Sequence, residues 1–126
     1  MAKKRTIAAL DVGSHEITLK IAQLERAGLP IPLETVSRTL AIGTDTYKSG
    51  EISPSTSADI VAVLELMLLK LKEYKTGQVL AAATSAVREA KNRELVLDQI
   101  DRVCHIPIEV LSNAEERYYH MLALSA

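Results

Sequence analysis

The chain has 126 residues, enough for one domain or part of one. Apolar residues make up 48% and charged residues 25%, which excludes a disordered chain. Fifteen Lys and Arg against sixteen Asp and Glu leave a net charge of −1, which excludes a general basic field for nucleic acid or anionic membrane.

From the N-terminus, Lys3-Lys4-Arg5 is a short basic flank to a first strand, Thr6 to Leu10, which stops at the turn signal Asp11-Val-Gly-Ser14. Ile17, Leu19 and Ile21 alternate with Thr18, Lys20 and Ala22, so a second strand pairs with the first through that turn. A third strand is expected within Ile31 to Ile42, after the Gly28-Leu-Pro30 break, and Gly43 to Gly50 reads as a polar loop. Ser53 and Pro54 then open a helix as N-cap and first helical residue. Ile60, Leu64, Met67, Leu71 and Tyr74 follow at spacings of four and three and mark its buried face. Val61, Val63, Leu66, Leu68 and Leu69 widen that face, so cover on more than one side is expected. Gly77 is expected to end the helix.

Gln78 to Ala83 is a fourth strand, ending at Thr84-Ser85. A helical region from Ala86 to Cys104 follows, with Asn92 placed to cap a new helix from Arg93. Pro107 to Leu111 is a fifth strand. Ser112-Asn-Ala-Glu115 has the capping-box pattern, from which a last helix starts. The order β-β-β-α-β-α-β-α is that of the α/β ribonuclease-H-like core, shared with the actin, Hsp70 and sugar-kinase superfamily, with a five-stranded mixed sheet. In such sheets ligands sit beyond the carboxyl ends of the parallel strands. Three polar segments are thereby brought to one edge: Asp11 to Ser14, Thr84 to Arg88 and Ser112 to Glu116.

The first two segments have chemistry suited to phosphate. Gly13 lets backbone N–H groups approach an anion, Ser14 adds a hydroxyl, and Asp11 is placed to hold a metal or water. Thr84 and Ser85 supply two hydroxyls, and Arg88 a guanidinium that matches phosphate geometry. A hairpin turn with an Asx cap explains the first segment equally well, and a capped helix with a surface Arg the second. Glu115 is accounted for by the capping box, whereas Glu116 has no such duty.

Thr84-Ser-Ala-Val-Arg-Glu-Ala-Lys-Asn92 and Ile108-Glu-Val-Leu-Ser-Asn-Ala-Glu-Glu116 resemble the exopolyphosphatase / guanosine-pentaphosphate phosphatase (Ppx/GppA) family. Asp11 to Ser14 fits its first phosphate motif, and Gly50-Glu-Ile-Ser53 its segment before the long helix. His15-Glu16 stand where the family usually has Asn-Ser, and Arg117 follows Glu116 directly where Ala-Arg is usual. The resemblance implies a hydrolase that uses Mg²⁺ to release terminal phosphate from inorganic polyphosphate or guanosine pentaphosphate (pppGpp). It implies that Glu116 is the catalytic carboxylate, that Arg88 and Thr84 bind phosphate, and that Asp11, Gly13 and Ser14 form the first phosphate loop; the residue chemistry adds Ser85 as a phosphate ligand and Asp11 as the metal ligand. A non-catalytic nucleotide or alarmone sensor of the same fold is the alternative.

Family members pair two such domains across a cleft, so this chain is expected to be the N-terminal domain of a longer protein, inactive alone, whose partner is its own missing C-terminal domain. A homodimer is a further possible arrangement; nucleic acid and membrane are not expected partners. The single cysteine, Cys104, rules out an intrachain disulfide. No apolar run reaches the ~18 residues of a membrane span and no secretory leader is evident, so the expected location is the cytoplasm.

Overall fold

The computed structural model describes residues 5–24 and 30–112. Strands β1 (Arg5–Val12), β2 (Glu16–Leu24) and β3 (Ile31–Thr39) form an antiparallel meander. Helices α1 (Ile42–Ser49) and α2 (Pro54–Glu73) lead to β4 (Gln78–Ala83), and α3 (Ser85–Arg88) and α4 (Arg93–Cys104) lead to β5 (Glu109–Val110). The sheet order is β3-β2-β1-β4-β5, with β4 parallel to β1 and β5 parallel to β4. This is the ribonuclease-H-like arrangement. The capping box Ser112 to Glu115 and the expected last helix fall, from residue 113 onward, outside the described residues.

Period-two patterning sets the register. Ala8, Leu10 and Val12 pair with Ile21, Leu19 and Ile17, and all six are buried on one face. Ala81 and Ala83 continue those rows into β4 beside Leu10 and Val12. The alternate positions Ala9, Lys20 and Leu80 are exposed on the other face. β3 is one of the two edge strands. Pro32 sits in it opposite Ala22, next to a register shift, where a missing N–H costs least. Lys70 and Tyr74 of α2 both reach Glu34 of β3, at 3.3 Å each, and fasten that edge to the helical layer.

The α2 entry follows its sequence signal: the Ser53 hydroxyl accepts from Thr56 N–H at 3.1 Å, and Pro54 is the first residue. Its exit does not. The helix ends at Glu73, and Lys75, not Gly77, takes the left-handed conformation, with φ 52°. Lys75 N–H bonds to Lys72 C=O and Thr76 N–H to Leu71 C=O, the paired bonds of a Schellman ending. Gly77 already belongs to the sheet side, its N–H donating to Thr6 C=O.

Ile60, Leu64, Met67 and Leu71 are buried as their spacing requires. The wider face is covered only in part: Val61 is buried and Val63 and Leu68 pack partly against the core, whereas Leu66 and Leu69 are 56% and 61% exposed. β1 runs to Val12, two residues beyond its expected end, so Asp11 is a strand residue. β5 is confined to Glu109 and Val110.

The largest departure is α1, which occupies the segment read as a polar loop. It has no apolar periodicity to announce it, since only Ile42, Gly43 and Thr46 are buried. Tertiary bonds hold it instead. Gly43 N–H donates to Ser14 C=O at 2.9 Å, and the buried Thr46 hydroxyl to Ala86 C=O at 2.7 Å. Asn92 stands at the start of α4 but makes no side-chain cap. Its amide instead clamps Ile52, accepting from the N–H at 3.0 Å and donating to the C=O at 2.8 Å.

Candidate active site at the carboxyl edge of the sheet

β1, β4 and β5 end at one level. Thr84 N–H donates to Val12 C=O at 3.2 Å, and Leu111 N–H to Ala83 C=O at 2.9 Å, so the parallel ladder runs out at the same height in all three. The segments that leave these ends therefore meet.

The turn after β1 is closed by Gly13 N–H on Glu16 C=O at 3.0 Å. A Cβ at Gly13 would lie 3.0 Å from that same carbonyl oxygen, a close approach that makes glycine the best fit to the tight hairpin. The Gly13 N–H is thus committed to the turn, and a ligand would be met by the turn's other groups, Ser14 foremost. Leu40 N–H bonds to His15 C=O and Gly43 N–H to Ser14 C=O, which pins the turn against the chain entering α1. His15 and Glu16 are exposed.

Ser14 and Ser85, 71 positions apart, bring their hydroxyl oxygens to 3.0 Å. The Tyr47 hydroxyl of α1 donates to Ser85 Oγ at 2.7 Å. Thr84 precedes α3 and spends no side-chain bond on capping it.

Arg88 is not a solvated surface residue: its side chain is 15% exposed. One guanidinium nitrogen donates to Leu111 C=O at 2.7 Å, and Nε lies 3.3 Å from Glu89 Oε1. Arg88 therefore fastens the segment after β5, which continues toward residues 113–116, to α3. Glu115 and Glu116 are outside the described residues.

Asp11 lies in β1, paired with Thr18 and Ala82, on the exposed side of the sheet. No group of three or more His, Cys, Asp or Glu side chains capable of holding a metal occurs among the described residues. The Asp11 carboxylate at a strand end is of a kind that suits Mg²⁺, which keeps several waters and is commonly held by one or two carboxylates together with substrate phosphates.

Sequence reasoning brought Ser14, Thr84, Ser85 and Arg88 to this edge, and the structure gathers them there. It overlooked Gly43, Thr46 and Tyr47. Their signal was the Gly43–Gly50 bracket alone, since α1 lacks an apolar stripe.

Fold and edge together define a ribonuclease-H-like domain with hydroxyls and a guanidinium collected where parallel strands end. The model of the Ppx/GppA phosphatase family matches residues 21–126, and the chain belongs to that family. Exopolyphosphatase 1 of Mycobacterium leprae is 29% identical over 118 residues, 94% of this chain and 35% of that protein. Exopolyphosphatase 1 of Mycobacterium tuberculosis (strain H37Rv) is 27% identical over the same length, 94% of this chain and 34% of that protein. The crystal structure of the Aquifex aeolicus Ppx/GppA family member superposes with a TM-score of 0.83 at 28% identity, covering 88% of this chain and 36% of that one. The chain thus spans about a third of the length of the relatives it matches. No helix among the described residues is long and apolar enough to cross a membrane.

Proposed function

We propose that this domain forms one wall of a phosphoanhydride hydrolase that releases terminal phosphate from inorganic polyphosphate or pppGpp. The observation that carries the reading is the meeting of Ser14 and Ser85 at 3.0 Å, beside Thr84 and Arg88, where β1, β4 and β5 end. Hydroxyl and guanidinium donors converging from separate strands suit a ligand with several anionic oxygens. Membership of the Ppx/GppA family and likeness to proteins named exopolyphosphatases support the same chemistry.

Ser14, Thr84 and Ser85 donate to phosphoryl oxygens, and Arg88 adds charge to the donor set. Mg²⁺, when bound, neutralises phosphate charge, with Asp11 as its protein ligand. Glu116 orients the attacking water and accepts its proton, as a general base does. The second wall comes from another domain of the same protein, so this domain alone binds weakly and turns over little. Phosphoryl transfer rests on positioning and charge neutralisation, and half of the donors are elsewhere. The Cys104 thiol is pushed up by burial and then by Glu65, which disfavours its reactive thiolate; the location this reading expects is the cytoplasm.

The deciding experiment is phosphate release by the complete protein and its Glu116→Gln and Glu115→Gln variants, with polyphosphate and pppGpp as substrates. Glu116→Gln is expected to keep substrate binding and lose about 10²–10⁴-fold in turnover. Glu115→Gln, still able to complete a capping box, is expected to be much milder. Equal losses in both, or an active Glu116→Gln, would reassign the base. Tight pppGpp binding with no release by the wild type would make the protein a sensor.

A further inference from the structure

Tyr47 has no role in the reading above, yet its hydroxyl is part of the candidate site. It projects from α1, 60% exposed, and donates to Ser85 Oγ at 2.7 Å. Ser85 Oγ in turn lies 3.0 Å from Ser14 Oγ. Three hydroxyls from three segments, the β1–β2 turn, α1 and α3, therefore form one unbranched chain.

The proton count of that chain is restrictive. Each hydroxyl has one proton to give and two lone pairs to receive. The Tyr47 proton goes to Ser85. The bond between the two serines uses one more, in whichever direction it runs. One serine proton is left over in either case, with no acceptor inside the chain. By donating to Ser85, Tyr47 also polarises the serine pair and strengthens whatever bond the outer hydroxyl makes. A donor of this kind seeks an anionic oxygen, where a charge-assisted bond is about twice as strong as a neutral one.

The tyrosine is seated for this task. A Cβ on Gly43 would lie 3.1 Å from Ser14 Cβ and 3.1 Å from Tyr47 Cε2, so the turn and the ring both close tightly on this glycine. The Gly43 N–H, on Ser14 C=O at 2.9 Å, ties α1 to the turn from the backbone side.

We propose that Tyr47 is a positioning residue for phosphate recognition, orienting the Ser85–Ser14 pair so that one serine O–H is presented to a phosphoryl oxygen. The proposal rests on the phosphate reading of the edge and assigns the residue that fills one acceptor position of Ser85 and so fixes where its hydroxyl can point.

The test is titration of the complete protein with inorganic tripolyphosphate, by calorimetry, for wild type, Tyr47→Phe, Ser85→Ala and the double variant, with Arg88→Lys as a reference. Tyr47→Phe removes one oxygen and is expected to weaken binding about 3- to 10-fold, the worth of one hydrogen bond, with the melting temperature unchanged. In the Ser85→Ala background it is expected to add nothing, because Tyr47 acts through Ser85. A Tyr47→Phe affinity equal to wild type, alongside a weakened Arg88→Lys, would overturn the proposal and leave the phosphate site standing. Additive losses in the double variant, or a markedly lowered melting temperature in Tyr47→Phe, would overturn it as well. Absence of tripolyphosphate binding by the wild type would overturn both the proposal and the reading beneath it.

Discussion

The helical layer and the carboxyl edge of the sheet are built from different interactions. In the layer, Ile60, Leu64, Met67 and Leu71 of α2 and Val96 and Ile100 of α4 are buried by apolar contact. At the edge, turns and short helices are tied by individual polar bonds: Ser14 to Ser85, Tyr47 to Ser85, Thr46 to Ala86 C=O, Arg88 to Leu111 C=O. Apolar burial is strong and non-directional, so it holds elements together without aiming any particular atom. Hydrogen bonds are modest in net energy but directional, so they aim atoms at a ligand. Stability should therefore reside mainly in the layer and recognition mainly at the edge.

The sharpest way to break this division is Leu64→Ala. Leu64 is fully buried, and the lost contacts plus the cavity should cost about 2–5 kcal/mol in urea unfolding. Affinity of the folded fraction for tripolyphosphate should not change. A parallel fall in affinity would show that the layer also sets the edge.

Arg88→Lys tests the reverse case. It keeps the charge and loses the planar fork, so anion binding should weaken by about one to two decades, corresponding to roughly 1.5–3 kcal/mol. The unfolding midpoint should move far less than in Leu64→Ala, since a lysine can still reach for a carbonyl. Unchanged affinity with a lowered midpoint would make Arg88 a fastener of the segment after β5 and nothing more.

The smallest effect is expected where the two regions join. Asp45 of α1 accepts from Ser53 N–H at 2.9 Å, and bonds from Thr56 and then Ser53 hold its carboxyl below the ordinary value of 3.8. A carboxyl lowered in the folded state contributes stability that is complete above its unfolded pKa and lost as pH falls through the folded one. The wild type should therefore lose more stability than Asp45→Asn as pH drops below about 4. Parallel pH profiles of the urea midpoint would show that this junction carries no such linkage.

The division also explains which features were legible in advance. β2 was readable because alternation marks a half-buried strand whatever it pairs with, and β1 and β4 because short apolar runs that stop at polar turn residues mark buried ones. The α2 entry and stripe were readable because Ser53-Pro54 and the four-three spacing are local. Gly77 misled because a left-handed helix ending favours glycine, yet Lys75 adopted it. Asn92 misled because a residue with a good capping side chain was drawn to Ile52, 40 positions away. α1 was invisible because its few buried residues form no stripe.

What the sequence determined by itself was the period of the main strands and of α2, the face each of them buries first, and the motifs that carry family membership. Local chemistry is enough for these: side-chain alternation, helical spacing and capping act within a few residues. What only the tertiary structure decided was the partner of each polar group at the edge. Gly13 N–H turned inward to Glu16, Arg88 was taken up in part by Leu111, and Tyr47 was joined to Ser85 and through it to Ser14. Those pairings depend on the parallel register of β1, β4 and β5, which places residues 71 positions apart within one hydrogen bond. No local pattern encodes a distance of that kind, because it is created when the strands align.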